Sequence, residues 1–249
     1  MRALAEDAAL AARIAEQAGT LLLSLRASDL FTGKALGKAG DQVANTFICE
    51  ALAHARPDDC VLSEERADDA ARLGCRRVWI VDPLDGTREY AEGRSDWAVH
   101  VALAVDGAPT LGAVALPGLG ITLTGDAALA TAGAGVPRMV VSRTRPAAEA
   151  VMVAETIGAE LVPMGSAGAK AMAVVRGEAD IYLHSGGQYE WDCCAPVAVA
   201  AAAGLHVSRI DGSPLLYNRE NVYLPDLLVC RRELAETVLR AVREGATAT

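Results

Sequence analysis

The stretch Val78-Trp79-Ile80-Val81-Asp82-Pro83-Leu84-Asp85-Gly86-Thr87 runs an apolar strand pattern straight into two carboxylates. Asp82 and Asp85 flank a proline that restricts the turn, so both side chains and the Leu84 carbonyl can face one hard cation, which takes oxygen ligands. Gly86 lets the backbone approach a ligand closely. The Gly86 and Thr87 N–H groups are placed to open a helical turn that offers donors to an anion. Taken alone, an Asp-Pro, Asp-Gly double turn with capping aspartates is the commoner use of such a segment.

Further acids stand at the ends of other apolar segments. The short strand Cys60-Val61-Leu62 ends in Ser63-Glu64-Glu65, and Trp191-Asp192 introduces an apolar helix. Adjacent glutamates are usually a solvated charge run, and an aspartate before a helix usually caps it. The combination tips the balance: a shared site for two or three magnesium ions uses all these acids at once. His54, His100, His184 and His206 are scattered without the H-E-x-x-H pattern, which argues against zinc.

Composition agrees with a small anionic substrate. The net charge of −9 disfavours a nucleic-acid polymer, since acidic surfaces repel the phosphate backbone and no basic track offsets them. Cations are then needed to receive a phosphate. No apolar run approaches a membrane span and the N-terminus lacks a secretory pattern, so a cytoplasmic chain is expected. The six cysteines show no C-x-x-C spacing and read as reduced thiols.

The elements that must position these acids follow from periodicity. Residues 2–25 and 41–56 read as helices, with Gly33, Gly37 and Gly40 breaking the chain between them. Strands follow at 60–63, 77–81, 97–105, 110–116 and 121–124. The Gly/Ala-rich segment 125–137 reads as a boundary, and beyond it strand-like and helical segments alternate. The reading is an α+β half, 1–137, that binds metal, and a smaller α/β half, 138–249, that supplies Asp192 and substrate contacts. A crevice between them is a natural small-molecule site.

The motifs S-E-E at 63–65, D-P-L-D-G-T at 82–87 and W-D-x-x-A-P at 191–196, in that order and at those distances, resemble the inositol monophosphatase superfamily of magnesium-dependent, lithium-sensitive phosphatases. Within it, T-R-E-Y at 87–90, GGQYEWD at 186–192 and PLLYN at 214–218 are similar to the CysQ-type 3′-phosphoadenosine 5′-phosphate phosphatases, above all actinobacterial ones. The resemblance implies a layered αβαβα sandwich of the sugar-phosphatase type, with the active site between its halves. It implies metal ligation by Glu64, Asp82, the Leu84 carbonyl, Asp85 and Asp192. Thr87 would pair with Asp41 to position and deprotonate water, with Glu64 assisting. Family members carry a Thr near that Asp where this chain reads Lys38-Ala39-Gly40-Asp41.

Gly86, Thr87, Ser166, Lys170, Tyr189 and Asp192 are the expected substrate contacts; Ser166 and Lys170 fall on one side of a helix opening after Gly165, and Tyr189 borders the base. The implied reaction, in nucleotide metabolism and sulfur assimilation, removes the 3′-phosphate of 3′-phosphoadenosine 5′-phosphate, with a homodimer as the implied assembly. Inositol-1-phosphate, fructose-1,6-bisphosphate or histidinol phosphate as substrate, or a non-catalytic metal or phosphometabolite binder, are the competing readings.

Overall fold

A computed structural model describes residues 2–130 and 135–247. The first part runs α1 (Arg2–Ala27), α2 (Gly33–Ala55), β1 (Cys60–Ser63), β2 (Arg77–Asp85), α3 (Thr87–Ala91), β3 (Ala98–Val105), β4 (Ala108–Leu116) and β5 (Ile121–Thr124). The second runs β6 (Arg138–Ser142), α4 (Ala148–Ile157), β7 (Glu160–Met164), α5 (Ala167–Val175), β8 (Ile181–Tyr189), α6 (Glu190–Ala202), β9 (His206–Ser208), β10 (Tyr223–Cys230) and α7 (Arg232–Thr247). Strands β1 to β5 form one five-stranded sheet in sequence order, and the second is ordered β7-β6-β8-β10-β9. Residues 131–134, within the segment read as a boundary, lie outside the described residues.

Strand alternation sorts the chain into five layers. Trp79 and Val81 of β2, with Val99, Val101 and Leu103 of β3, pack against Leu10, Ile14, Ala18 and Leu22 of α1 and Ala44, Ile48 and Leu52 of α2. The intervening residues Val78, Ile80, Ala98, Ala102 and Ala104 face the opposite way, against Met172 and Val174 of α5 and Cys194, Val197 and Val199 of α6. Those two helices also meet Val140, Tyr182, Leu227 and Val229 of the second sheet. On its far side Met139, Val141, Ile181, Leu183 and Leu228 cover α4 and α7. The order is therefore helices, sheet, helices, sheet, helices, the αβαβα sandwich the resemblance implies, and one core joins both sheets through α5 and α6.

The helix expected from residue 41 starts earlier, at Gly33, and takes in Gly37 and Gly40. Packing explains the difference. A Cβ on Gly37 would stand 2.6 Å from Thr87 Cγ2, and one on Gly40 would stand 3.0 Å from both Leu84 Cδ2 and Tyr90 Cε1. Glycine costs a helix interior roughly 1 kcal/mol relative to alanine, and here it allows α2 to lie directly on the β2–α3 turn.

The expectation of reduced thiols fails for one pair: Cys60 and Cys75 are joined as a disulfide, their Cα atoms 6.3 Å apart. Cys60 opens β1 and Cys75 shortly precedes the parallel strand β2, so chain return across a short 3₁₀ turn brings together residues that local spacing separates. Cys49, Cys193, Cys194 and Cys230 are free thiols. Among the described residues no helix is long and apolar enough to cross a membrane.

Gly40→Val should lower unfolding free energy in a urea titration by roughly 1–3 kcal/mol, the cost of overpacking a filled site. Gly74→Ala, where a Cβ meets nothing within 4 Å, should change it little. Equal midpoints for Gly40→Val and the parent would show that α2 does not press on the β2–α3 turn.

Candidate active site

A one-residue irregularity in β2 creates the site. In the antiparallel β2–β3 ladder Asp82 pairs with His100 while Asp85 pairs with Ala98, so three steps on β2 match two on β3. In a regular strand residues three apart point to opposite faces. The extra residue, beside Pro83, brings Asp85 round to the face of Asp82, which is the face turned towards α5 and α6. Both aspartates are buried, at 1% and 7% exposure.

Asp192, in the first turn of α6, completes a cluster with Asp82 and Asp85: one carboxylate oxygen from each lies within 4.8 Å of the others. Each acid is held separately. Asp82 Oδ1 accepts from Leu84 N at 3.0 Å, Asp85 accepts from Ala167 N at 3.2 Å and Gly168 N at 2.6 Å, and Asp192 Oδ2 accepts from Tyr189 N at 2.6 Å. Asp192 does not precede the helix as an N-cap: Tyr189 holds that place, and Asp192, three residues on, accepts from its N–H and still reaches the cluster. Glu64 follows β1, its N–H bonding Val81 O at 3.3 Å, and its carboxyl meets that of Asp82.

On the α2 side, Thr87 Oγ1 lies 3.4 Å from Asp41 Oδ1 and 3.2 Å from the Leu84 carbonyl oxygen. One hydroxyl proton cannot serve both acceptors, so the hydroxyl donates to one or receives a proton from Asp41. Gly86 is the hinge of this turn. Its φ of +87° is left-handed, and a Cβ would stand 2.9 Å from Ser166 Cβ.

Ser166 and Lys170 lie on one side of α5 and both are buried. Ser166 Oγ caps the helix by accepting from Ala169 N at 2.9 Å, and Lys170 Nζ turns back to donate to the carbonyls of Gly165 and Ser166. Burial pulls the Lys170 ammonium down to about 8. Tyr189 is exposed, stacked on Trp191 with ring centroids 5.0 Å apart. A cavity of about 280 Å³ adjoins the acids, walled by Asp85, Gly86, Thr87 and Ser166 and by the loop after β6 with Arg143 and Arg145. Lys170 stands behind that wall.

Residues 4–246 match the inositol monophosphatase family. The chain belongs to that family. It is 50% identical to a protein of Mycobacterium leprae named 3′-phosphoadenosine 5′-phosphate phosphatase, over 96% of this chain and 94% of that one. It is 34% identical to the Escherichia coli 3′(2′),5′-bisphosphate nucleotidase CysQ, over 75% of this chain and 81% of the relative. The fold matches that of CysQ from Bacteroides thetaiotaomicron at a TM-score of 0.78 and 26% identity, covering 91% and 97% of the two chains. An inositol monophosphatase from Anabaena shares the fold at a TM-score of 0.77 and 20% identity, covering 98% and 97%.

The family is metal-dependent, and the donor set fits a hard cation. Burial first, then Glu64, Asp85 and Asp192, push the Asp82 carboxyl well above its ordinary value. Burial, with neighbouring acids adding to it, raises Asp41, Glu64 and Asp192 to about 7. Asp85 is the exception: burial pushes it up, but His100, the Gly168 N–H and Lys170 outweigh that and hold it low. Oxygen donors so crowded ionise together only when a cation or protons offset them.

Two features escaped the sequence reading. His100, the one polar residue of β3, is fully buried with Nδ1 3.1 Å from the Trp191 carbonyl and Nε2 3.2 Å from Asp85 Oδ2, the latter without hydrogen-bond alignment. It bridges the strand acid to the start of α6, and a Cβ on Gly168 would fall 2.0 Å from its ring. A single histidine within the apolar run AVHVALAV was the available signal. The loop carrying Arg143 and Arg145 gave none, because only the fold brings β6 to the site.

Between about pH 4, where unfolded carboxyls titrate, and about 7 the folded metal-free chain binds more protons than the unfolded one, so its stability falls as pH rises. Chelated protein should melt at a lower temperature at about pH 8 than at about pH 5, and magnesium should raise the midpoint more at the higher pH. In Asp192→Asn both differences should shrink. A midpoint that climbs with pH in chelator, equally in parent and variant, would remove the electrostatic reading of the cluster.

Proposed function

We propose that this chain is a magnesium-dependent phosphomonoesterase that releases the 3′-phosphate of 3′-phosphoadenosine 5′-phosphate, leaving AMP. The convergence of Asp82, Asp85 and Asp192 beside the Asp41–Thr87 pair carries the reading of the chemistry. The names of the mycobacterial and enterobacterial relatives support the substrate. A pure metal binder has no use for a second acid coupled to a hydroxyl next to the cluster.

Glu64, Asp82, the Leu84 carbonyl, Asp85 and Asp192 would hold the magnesium ions. When bound, these supply the positive charge that neutralises the phosphate and acidifies water. Thr87 Oγ1 orients the attacking water, and Asp41, at about 7, is suited to take its proton near neutral pH. The water oxygen forms a bond to phosphorus as the bond from phosphorus to O3′ breaks. The electron pair of that bond goes to O3′, which takes up a proton from solvent, and Asp41 returns the water's proton to solvent. Backbone N–H groups of Gly86 and Thr87 meet the transferring phosphate, and Asp192 orients the leaving sugar.

The cavity beside Gly86 and Ser166 suits the remainder of the nucleotide. Arg143 is already committed, its Nε donating to Glu89 at 2.7 Å and its Nη2 to Glu92 at 2.6 Å. Two cations lining this cavity have no side-chain hydrogen-bond or ion-pair partner among the described residues, and since Arg88 also borders the neighbouring cavity between α2 and α3, Arg145, in the loop after β6, is assigned to the 5′-phosphate. Lys170 supports Ser166 from behind, and the Tyr189–Trp191 stack offers a flat face to the base.

Purified enzyme should convert the bisphosphate to AMP with magnesium and stop in EDTA. Asp82→Asn should lower kcat by roughly three decades or more, because several kcal/mol of metal-derived stabilisation are at stake. Its melting temperature should hold, since a repelling charge is removed. Near-normal turnover in Asp82→Asn would sink the assignment.

Arg145→Ala should raise KM for the bisphosphate roughly tenfold, the size of one charge-assisted contact, while leaving 3′-AMP nearly unaffected. Equal changes for both substrates would move the 5′-phosphate elsewhere. Faster hydrolysis of inositol monophosphate than of the bisphosphate would move the chain to the competing branch.

A further inference from the structure

A second cavity, of about 500 Å³, lies between α2 and α3. It shares Thr87 and Arg88 with the cavity assigned above to the nucleotide, and Asp41 lines it as well. Three cations face it: Lys34 and Lys38 from α2, and Arg88 from α3. All are exposed, and none has a hydrogen-bond or ion-pair partner among the described residues. The other acid in the wall, Glu92, is taken by Arg143.

Lys34 and Lys38 stand one helical turn apart on the same face, an arrangement that disfavours a helix slightly unless an anion lies between them. On a chain with a net charge of −9, three unpaired cations in one cavity are a local reversal of the protein's field. A small anion offsets that repulsion.

We propose that this cavity is the site through which inorganic phosphate leaves, held in passing by Lys34, Lys38 and Arg88. The inference rests on the function proposed above. In an in-line displacement the new bond forms on the side of the attacking water, and the leaving group departs from the opposite side. Water held by Thr87 and Asp41 therefore leaves the product phosphate on their side, facing this cavity. AMP remains on the side of Gly86, Ser166 and Arg145. The two products then leave by different openings, and phosphate need not pass the bound nucleotide.

The test uses the double variant Lys34→Ala, Lys38→Ala, which keeps Arg88 because that residue also lines the nucleotide cavity, its fold checked by circular dichroism, and inorganic phosphate as the probe. By calorimetry on magnesium-loaded protein at constant ionic strength, phosphate should bind the variant roughly tenfold more weakly than the parent, as expected on losing charge-assisted contacts. As product inhibitors, phosphate should lose potency by a similar factor while AMP keeps its own within about twofold. Unchanged phosphate affinity overturns the proposal. So does an equal loss for AMP, which would mark a general field and not a phosphate site. Failure of the parent to hydrolyse the bisphosphate would count against the function alone, because the calorimetric comparison needs no substrate. Should the double variant fail to fold, Lys34→Gln and Lys38→Gln measured singly carry the same comparison.

Discussion

Mutual repulsion among carboxylates at the end of β2 is the constraint on which the rest of the molecule depends. Asp82 and Asp85 are buried there, with Asp192 beside them and Glu64 against Asp82. Burying even one unpaired charge is costly, and neighbours of the same sign add to the cost. The fold therefore has to hold a locally unfavourable arrangement using stability gained elsewhere. The apolar cores on both faces of the first sheet, continuous through α5 and α6, supply it. Backbone N–H groups of Leu84, Ala167, Gly168 and Tyr189 then fix where each charge points.

The same constraint accounts for details that look like poor design when taken singly. A proline and a ladder irregularity interrupt a central strand, yet without them Asp85 would face α2. Gly37 and Gly40 weaken a helix, yet a side chain at either would push Asp41 away from Thr87. Gly168 occupies the first turn of α5 because the His100 ring fills the space its side chain would need. Local preference is given up at each of these places where the site demands it.

How much of this could be read from the sequence follows from the range of the interactions. Acids at the ends of apolar runs are local patterns, so Glu64, Asp82, Asp85 and Asp192 were legible, as were most strands and helices. The start of α2 was not, because glycine's intrinsic preference argued for a break and only contact with Thr87, Leu84 and Tyr90 overrides it. The Cys60–Cys75 bond depends on parallel pairing of β1 with β2, which no spacing rule anticipates. Ser166 and Lys170 were correctly placed on one side of α5. Their hydrogen bonds run inward to Ala169 N and the α5 entry carbonyls, and helical spacing alone does not say which way that side faces.

Division of labour among elements follows from the same geometry. The acids sit on strand ends and on the first turn of an inner helix, where packing on both sides fixes them. Arg145 and Tyr189 sit at loops or element ends with exposed side chains. A change in the loop after β6 alters what lies beside Gly86 without disturbing β2, α6 or the cluster between them, because the Arg145 side chain donates no hydrogen bond to the acids among the described residues. A site built this way can keep its metal-binding chemistry while the exposed residues around it change the substrate. This explains how a chain 20% identical to an inositol monophosphatase can have the same five layers and still present its own exposed residues, Arg145 among them, in the cavity beside Asp85.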